Sequence, residues 1–169
     1  DFEGALIRPT TDRVKESVFN LIQEFVAGSS VLDLFGGSGA LSLEALSRGA
    51  DRALIIDSSK SSIDIINKNV SLTGFEEKAE ILCTDAKSFI SDTKRKFDII
   101  FLDPPYDTGL LDKALANVVQ FDILAEGGII VCESRREKEL PQLPQPYYLL
   151  TERSYGKIKL TLYGKGTHA

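Results

Sequence analysis

At 169 residues and 18.6 kDa the chain has the length of one domain with one core, too short for two catalytic domains. Hydrophobic residues make up 43% and charged residues 27%, a globular balance that excludes disordered and collagen-like chains, and no apolar run nears the roughly 20 residues of a spanning helix. With 25 acids against 20 bases the net charge is -5, which argues against a nucleic-acid partner unless the bases are gathered locally.

Cys83 and Cys132 sit in apolar runs without disulfide spacing, so buried free thiols and a reducing, cytoplasmic compartment are expected. The polar start Asp1-Phe2-Glu3-Gly4 is no signal peptide, and the lack of any methionine suggests part of a longer product.

In chain order, Val14, Val18, Leu21, Ile22 and Phe25 recur at helical spacing, predicting an amphipathic helix over 11–27 that Gly28 ends. A strand over 31–35 runs into Gly36-Gly37-Ser38-Gly39, and a helix over 40–47 closes at Gly49. A strand over 53–57 precedes a serine-capped helix stopped by Gly74, and a strand over 79–83 precedes a short helix after Asp85. The strand over 97–102 is almost wholly apolar, as a strand buried on both faces reads, and it ends at Asp103-Pro104-Pro105-Tyr106. A helix over 110–119 leads through Gly127-Gly128 to a strand over 129–132. The segments 147–153 and 158–163 flank Ser154-Tyr155-Gly156 as an antiparallel hairpin, with Ile158, Leu160 and Leu162 on one face and Lys157, Lys159 and Thr161 on the other. The fold class is therefore α/β, a mostly parallel open sheet with an antiparallel hairpin at its edge and helices on both faces; the whole of 1–169 forms one domain.

Ligands of such sheets bind at the carboxyl ends of the strands. The glycines at 36, 37 and 39 allow close backbone approach to a ligand, and Asp57, 20 residues past Gly37, is placed to accept ribose hydroxyls. Asp85 can sit beside a purine; for both aspartates the alternative is a helix cap. The third glycine of a dinucleotide loop is replaced by Ser42, and no Lys-Ser or Lys-Thr follows as in a P-loop. Asp33 at the base of the loop disfavours pyrophosphate and suits a cationic ligand such as S-adenosylmethionine. The lone His168 organises neither a metal site nor a triad, and no zinc spacing occurs.

Together, residues 31–39 and Asp103-Pro104-Pro105-Tyr106 resemble the signature pair of S-adenosylmethionine-dependent amino methyltransferases. A conjugated amino nitrogen is a poor nucleophile until acceptors hold its hydrogens. The Asp103 carboxylate and Pro104 carbonyl supply two, Pro105 helps fix the turn, and Tyr106 can stack on a flipped base. Residues 8–20 and 45–50, with the late Tyr155-Gly156 hairpin, are similar to the bacterial 16S ribosomal RNA (guanine(966)-N(2))-methyltransferase family over nearly the whole chain.

The resemblance implies a Rossmann-like class I methyltransferase with a seven-stranded sheet, acting on 16S rRNA within a small-subunit assembly, without metal or membrane. It implies a cofactor site at Asp33, Phe35, Gly36, Gly37, Ser38, Gly39, Asp57, Ser58, Asp85 and Ala86, a guanine site at residues 103–106, and RNA contacts at Arg8, Arg13 and Lys15. The alternatives are methylation of DNA adenine or cytosine or of a protein glutamine, and, from another class, an NAD-binding Rossmann protein.

Overall fold

Adjacent residues of a strand point to opposite faces, and here both are apolar on the central strands, so the sheet needs cover on both sides. The computed structural model, which describes residues 12–166, shows how that cover is supplied. Strands β1 (Ser30–Asp33), β2 (Arg52–Asp57), β3 (Ala79–Cys83), β4 (Phe97–Leu102), β5 (Leu124–Arg135), β6 (Tyr147–Tyr155) and β7 (Ile158–Lys165) form one sheet in the order β3-β2-β1-β4-β5-β7-β6. The first five run parallel, and β7 is antiparallel to both β5 and β6.

Helices α1 (Asp12–Val26), α2 (Ala40–Ser47) and α3 (Lys60–Thr73) cover one face, burying Phe19, Ala45 and Ile66 against Val31, Ile55, Ile99 and Phe101. The other face takes α4 (Ala86–Asp92) and α5 (Leu110–Phe121), with Ile90, Leu115 and Val118 against Leu32, Ile56, Ile100 and Leu102. The Phe19 and Phe101 rings lie 6.1 Å apart and tilted by 58°, so α1 is packed directly onto β4. Its start agrees with the expected helix, except that Thr11 lies outside the described residues.

Three expectations need correction. The Gly127-Gly128 pair does not precede β5 but lies within it: pairing with β4 shifts between Phe97 and Ile99, and a side chain on Gly128 would come within 2.7 Å of the Asp98 carbonyl. The glycines thus serve a bulge, which apolar content alone does not distinguish from a boundary. Second, the face of β7 that carries Lys159 and Thr161 is not open to solvent: both residues are buried, and the segment after β5 lies against that face, where the Lys159 ammonium donates to the Lys138 carbonyl and the Tyr163 hydroxyl to the Pro141 carbonyl, with Lys159 also pairing with Glu152 at 3.5 Å. Third, Cys132 is buried but Cys83 is exposed, because β3 is the edge strand.

At the end of the sheet where β4 and β5 begin, Asp122 terminates α5 with a left-handed φ of 55°. Its carboxylate accepts from the Tyr147 hydroxyl at 2.5 Å and pairs with Lys165 at 2.9 Å and Lys96 at 3.3 Å. The Tyr147 hydrogen bond, followed by that from Lys165, holds the Asp122 carboxyl down at about 2. This cluster ties together α5, β6, β7 and the approach to β4.

Candidate functional site

The strand order turns back between β1 and β4, since β2 and β3 extend to one side and β5 to the other; such a switch point leaves a crevice beyond the carboxyl ends. A cavity of about 600 Å³ occupies it. Asp33, Phe35, Gly36, Gly37, Ser38, Asp57, Ser58, Asp85 and Ala86 line it with Asp103 and Pro105, so residues far apart in sequence share one space. Gly39 is not on its wall; it starts α2.

The loop after β1 needs glycine for two reasons. Gly37 and Gly39 have φ of 61° and 85°, in the left-handed region, and a side chain on Gly36 would meet Ile55 at 2.5 Å. The loop is held from several sides: Gly36 N–H donates to the Ile56 carbonyl at 2.7 Å, Gly39 N–H to the Gly36 carbonyl at 2.8 Å, and Gly37 N–H to Asp57 Oδ2 at 2.9 Å. From α3, the Asn69 side-chain amide donates to the Ser38 carbonyl at 2.9 Å. Sequence reasoning passed over Asn69, which sits 31 residues away on a helix face with no motif around it.

Asp33 is buried at the base of this loop, at 1% exposure. Its Oδ2 accepts from the Ser42 hydroxyl at 2.9 Å, while Oδ1 has no hydrogen-bond partner among the described residues. Burial raises its pKa from 3.8 to about 7, against the lowering effect of Ser42. A buried carboxylate with an unmet oxygen is a site for a cationic donor.

Asp57 holds the loop through Oδ2 and accepts from Ser59 N–H through Oδ1 at 2.9 Å, with lone pairs on both oxygens still available to a ligand on the cavity side. Asp85 caps α4, accepting from Ser88 N–H at 2.7 Å and Ser88 hydroxyl at 3.0 Å, and these bonds lower its pKa. It is thus a helix cap and a cavity wall at once.

The turn after β4 separates two spaces. Pro105 lines the first cavity and also a second, of about 340 Å³, whose walls include Pro104, Tyr106, Glu133 and Arg135. Asp103 is half-buried and Pro104 buried. The Tyr106 hydroxyl donates to the buried Glu133 at 3.1 Å, and the Arg135 guanidinium stands 4.8 Å from the Tyr106 ring centre while pairing with Asp107 at 3.0 Å. β5 thus grips Tyr106 at its hydroxyl and on one face, using two residues two apart. The Leu102–Cys132 register explains why they reach the turn, and no local pattern marks them.

Of the expected RNA contacts, Arg8 lies outside the described residues, as does His168. Arg13 is exposed on α1, and Lys15 is committed to Glu44 at 3.5 Å and Asp12 at 3.9 Å. Neither lines the cavities. Among the described residues no group of acidic, histidine and cysteine side chains could hold a metal, and no helix is long and apolar enough to cross a membrane.

Comparison with known proteins places this geometry among relatives. The family model described as Conserved hypothetical protein 95 matches residues 2–164. The Ribosomal RNA small subunit methyltransferase D of Escherichia coli is 36% identical over 157 residues, covering 93% of this chain and 79% of that protein. Its namesake from Haemophilus influenzae is 33% identical over 160 residues, covering 93% and 82%. Among solved structures, a conserved hypothetical protein from Streptococcus pyogenes superposes with a TM-score of 0.84 at 32% identity, covering 92% of this chain and 98% of that one.

Proposed function

The chain belongs to the Conserved hypothetical protein 95 family, and from that membership we propose that it methylates the exocyclic N2 amino group of a guanine in 16S ribosomal RNA of the small subunit. What supports the reading first is one observation: Asp103 lines the same cavity as the glycine loop and Asp33, whose buried Oδ1 has no partner among the described residues. An amino-group acceptor therefore faces a site suited to a cation. The relatives named as small-subunit ribosomal RNA methyltransferases supply the substrate class.

S-adenosylmethionine, when bound, supplies an electrophilic methyl group on a sulfonium. It fits the residues present: Asp33 offers the orphaned buried carboxylate oxygen for the amino-acid ammonium, and the loop at 36–38 admits close backbone approach. Asp57 takes the ribose hydroxyls, and Ser58, Asp85 and Ala86 border the adenine end, with Asp85 kept in place by its capping bonds. Gly39 contributes by its left-handed turn into α2.

The guanine amino group needs its hydrogens held so that the nitrogen lone pair is released from the ring. Asp103 and the carbonyl of Pro104 accept those hydrogens, and Pro104 and Pro105 limit the backbone so that the two acceptors stay aimed. Such preorganised acceptors strengthen as positive charge develops on the nitrogen, and alignment supplies much of the remaining rate. Asp103 or solvent then removes the proton. Tyr106 offers a ring for the base to stack on, held by Glu133. The whole chain acts as one methyltransferase domain in the cytoplasm, on RNA already within a small-subunit assembly.

Transfer of a tritiated methyl group to assembled small subunits, bare 16S RNA, duplex DNA and protein tests the substrate. Labelling of small-subunit RNA is expected. Labelling confined to DNA or protein overturns the reading.

A further inference from the structure

The β6–β7 turn lies at the site end of the sheet. Because β7 runs antiparallel to β5, Ile158 at its start pairs with Arg135 at the end of β5, the residue that covers Tyr106. Arg136 is joined to this turn twice: its N–H donates to the Lys157 carbonyl at 2.9 Å, and its guanidinium donates to the Gly156 carbonyl at 3.2 Å. Arg153 stands on β6, four residues before Lys157, in the strand that enters the same turn. Arg136 and Lys157, 21 residues apart in sequence, are thereby brought together beside the acceptor turn.

Their neighbours are spoken for. Arg135 pairs with Asp107, Lys138 with Asp112 at 2.8 Å, and Lys159 with Glu152. Arg136, Arg153 and Lys157 are exposed, and among the described residues none has an ion-pair partner. None of the three lines either cavity; the exposed acids of the same stretch, Glu137 and Glu139, turn to the second cavity instead. This leaves positive charge on the outer rim and negative charge within.

We infer that Arg136, Lys157 and Arg153 form a phosphodiester-binding rim, over which the RNA strand on one side of the target nucleotide runs, so that its base reaches Tyr106 and Asp103. This rests on the proposed RNA substrate. The rim answers the acidic net charge, since phosphate contacts position a strand through a few local cations and need no overall positive field. Arg136 is held at a carbonyl with donors to spare, so its guanidinium can add a phosphate without giving up its position.

The test compares the full chain with an Arg136→Gln/Lys157→Gln variant and with a Lys68→Gln/Lys78→Gln variant, which removes the same charge from α3 and the entry to β3. Binding of a fluorescent 16S RNA transcript is followed by anisotropy across a salt series, beside calorimetry with S-adenosylhomocysteine. The rim variant is expected to bind RNA about tenfold or more weakly, with a salt slope smaller by roughly 0.7 to 0.9 for each cation removed. Its S-adenosylhomocysteine affinity stays unchanged, and the control variant keeps the wild-type slope to within half that amount. An unchanged rim variant, or equal losses in both variants, overturns the inference. If the rim variant loses RNA binding as expected while the parent methylates no RNA, the rim stands and the proposed reaction falls.

Discussion

The two ends of the sheet use the same residue type to opposite effect. Asp122, at the end where β4 and β5 start, is saturated by Tyr147, Lys165 and Lys96, and its carboxyl is held down at about 2. Asp33, at the carboxyl end of β1, has one oxygen met by Ser42 and one unmet, and burial lifts it to about 7. The first carboxylate finds all its partners within the chain, and its work is to hold three elements together. The second keeps acceptor capacity that no described residue satisfies, and it lines the cavity that Asp57 and Asp103 also line. Unmet capacity, more than the number of charges, distinguishes the functional end of the molecule from the structural one.

Substitutions can break this contrast in either direction. The largest effect is expected for Asp103→Ala, which removes the principal amino-group acceptor: methyl transfer falls by about 10² to 10³ or more while S-adenosylhomocysteine binding, followed by calorimetry, changes only a few-fold. Near-normal turnover in that variant would show that the amino group is held elsewhere.

Next, Asp33→Asn and Tyr147→Phe should behave as mirror images. The first removes the acceptor for the ligand ammonium and weakens S-adenosylhomocysteine binding by about tenfold or more, while thermal unfolding of the free protein at pH 8 moves up or not at all. The second deletes the donor to Asp122, leaves ligand binding intact, and lowers the melting temperature by about 2–4 °C for a loss near 1 kcal/mol. Identical behaviour of the two would erase the distinction between the ends.

The pH dependence sharpens it further. Because Asp33 is raised in the folded state, the folded chain retains a proton that the unfolded chain loses above 3.8, so its contribution to stability declines between about pH 4 and 7 and then levels. Binding of a ligand ammonium requires the ionised form, so S-adenosylhomocysteine affinity should rise as pH goes from 6 to 8 and should lose that dependence in Asp33→Asn. The smallest effect is expected from Asn69→Ala, which frees the Ser38 carbonyl: the KM for S-adenosylmethionine rises about three- to tenfold with kcat at saturation nearly unchanged.

The sequence carried the parallel order of elements and the two motifs at the ends of β1 and β4 because both are local. Apolar runs, helix caps and turn residues are written in neighbouring positions. What it concealed was set by packing between distant segments. The burial of Lys159 and Thr161 depends on the segment after β5 folding back against that face of β7, and the exposure of Cys83 depends on β3 having no outer neighbour. Likewise Asn69, Glu133 and Arg135 gain their places only when α3 meets the glycine loop and β5 meets the turn after β4. Asp85 was legible as either cap or ligand, and its capping bonds do not remove it from the cavity wall.

The amino group that receives the methyl is the most direct point of test. Small subunits lacking the modification are incubated with the protein and tritiated S-adenosylmethionine, and the 16S RNA is digested to nucleosides and separated by chromatography. Label in N2-methylguanosine is the result the account predicts, and label in a ring-carbon product such as 5-methylcytidine, or in no RNA nucleoside at all, would contradict it.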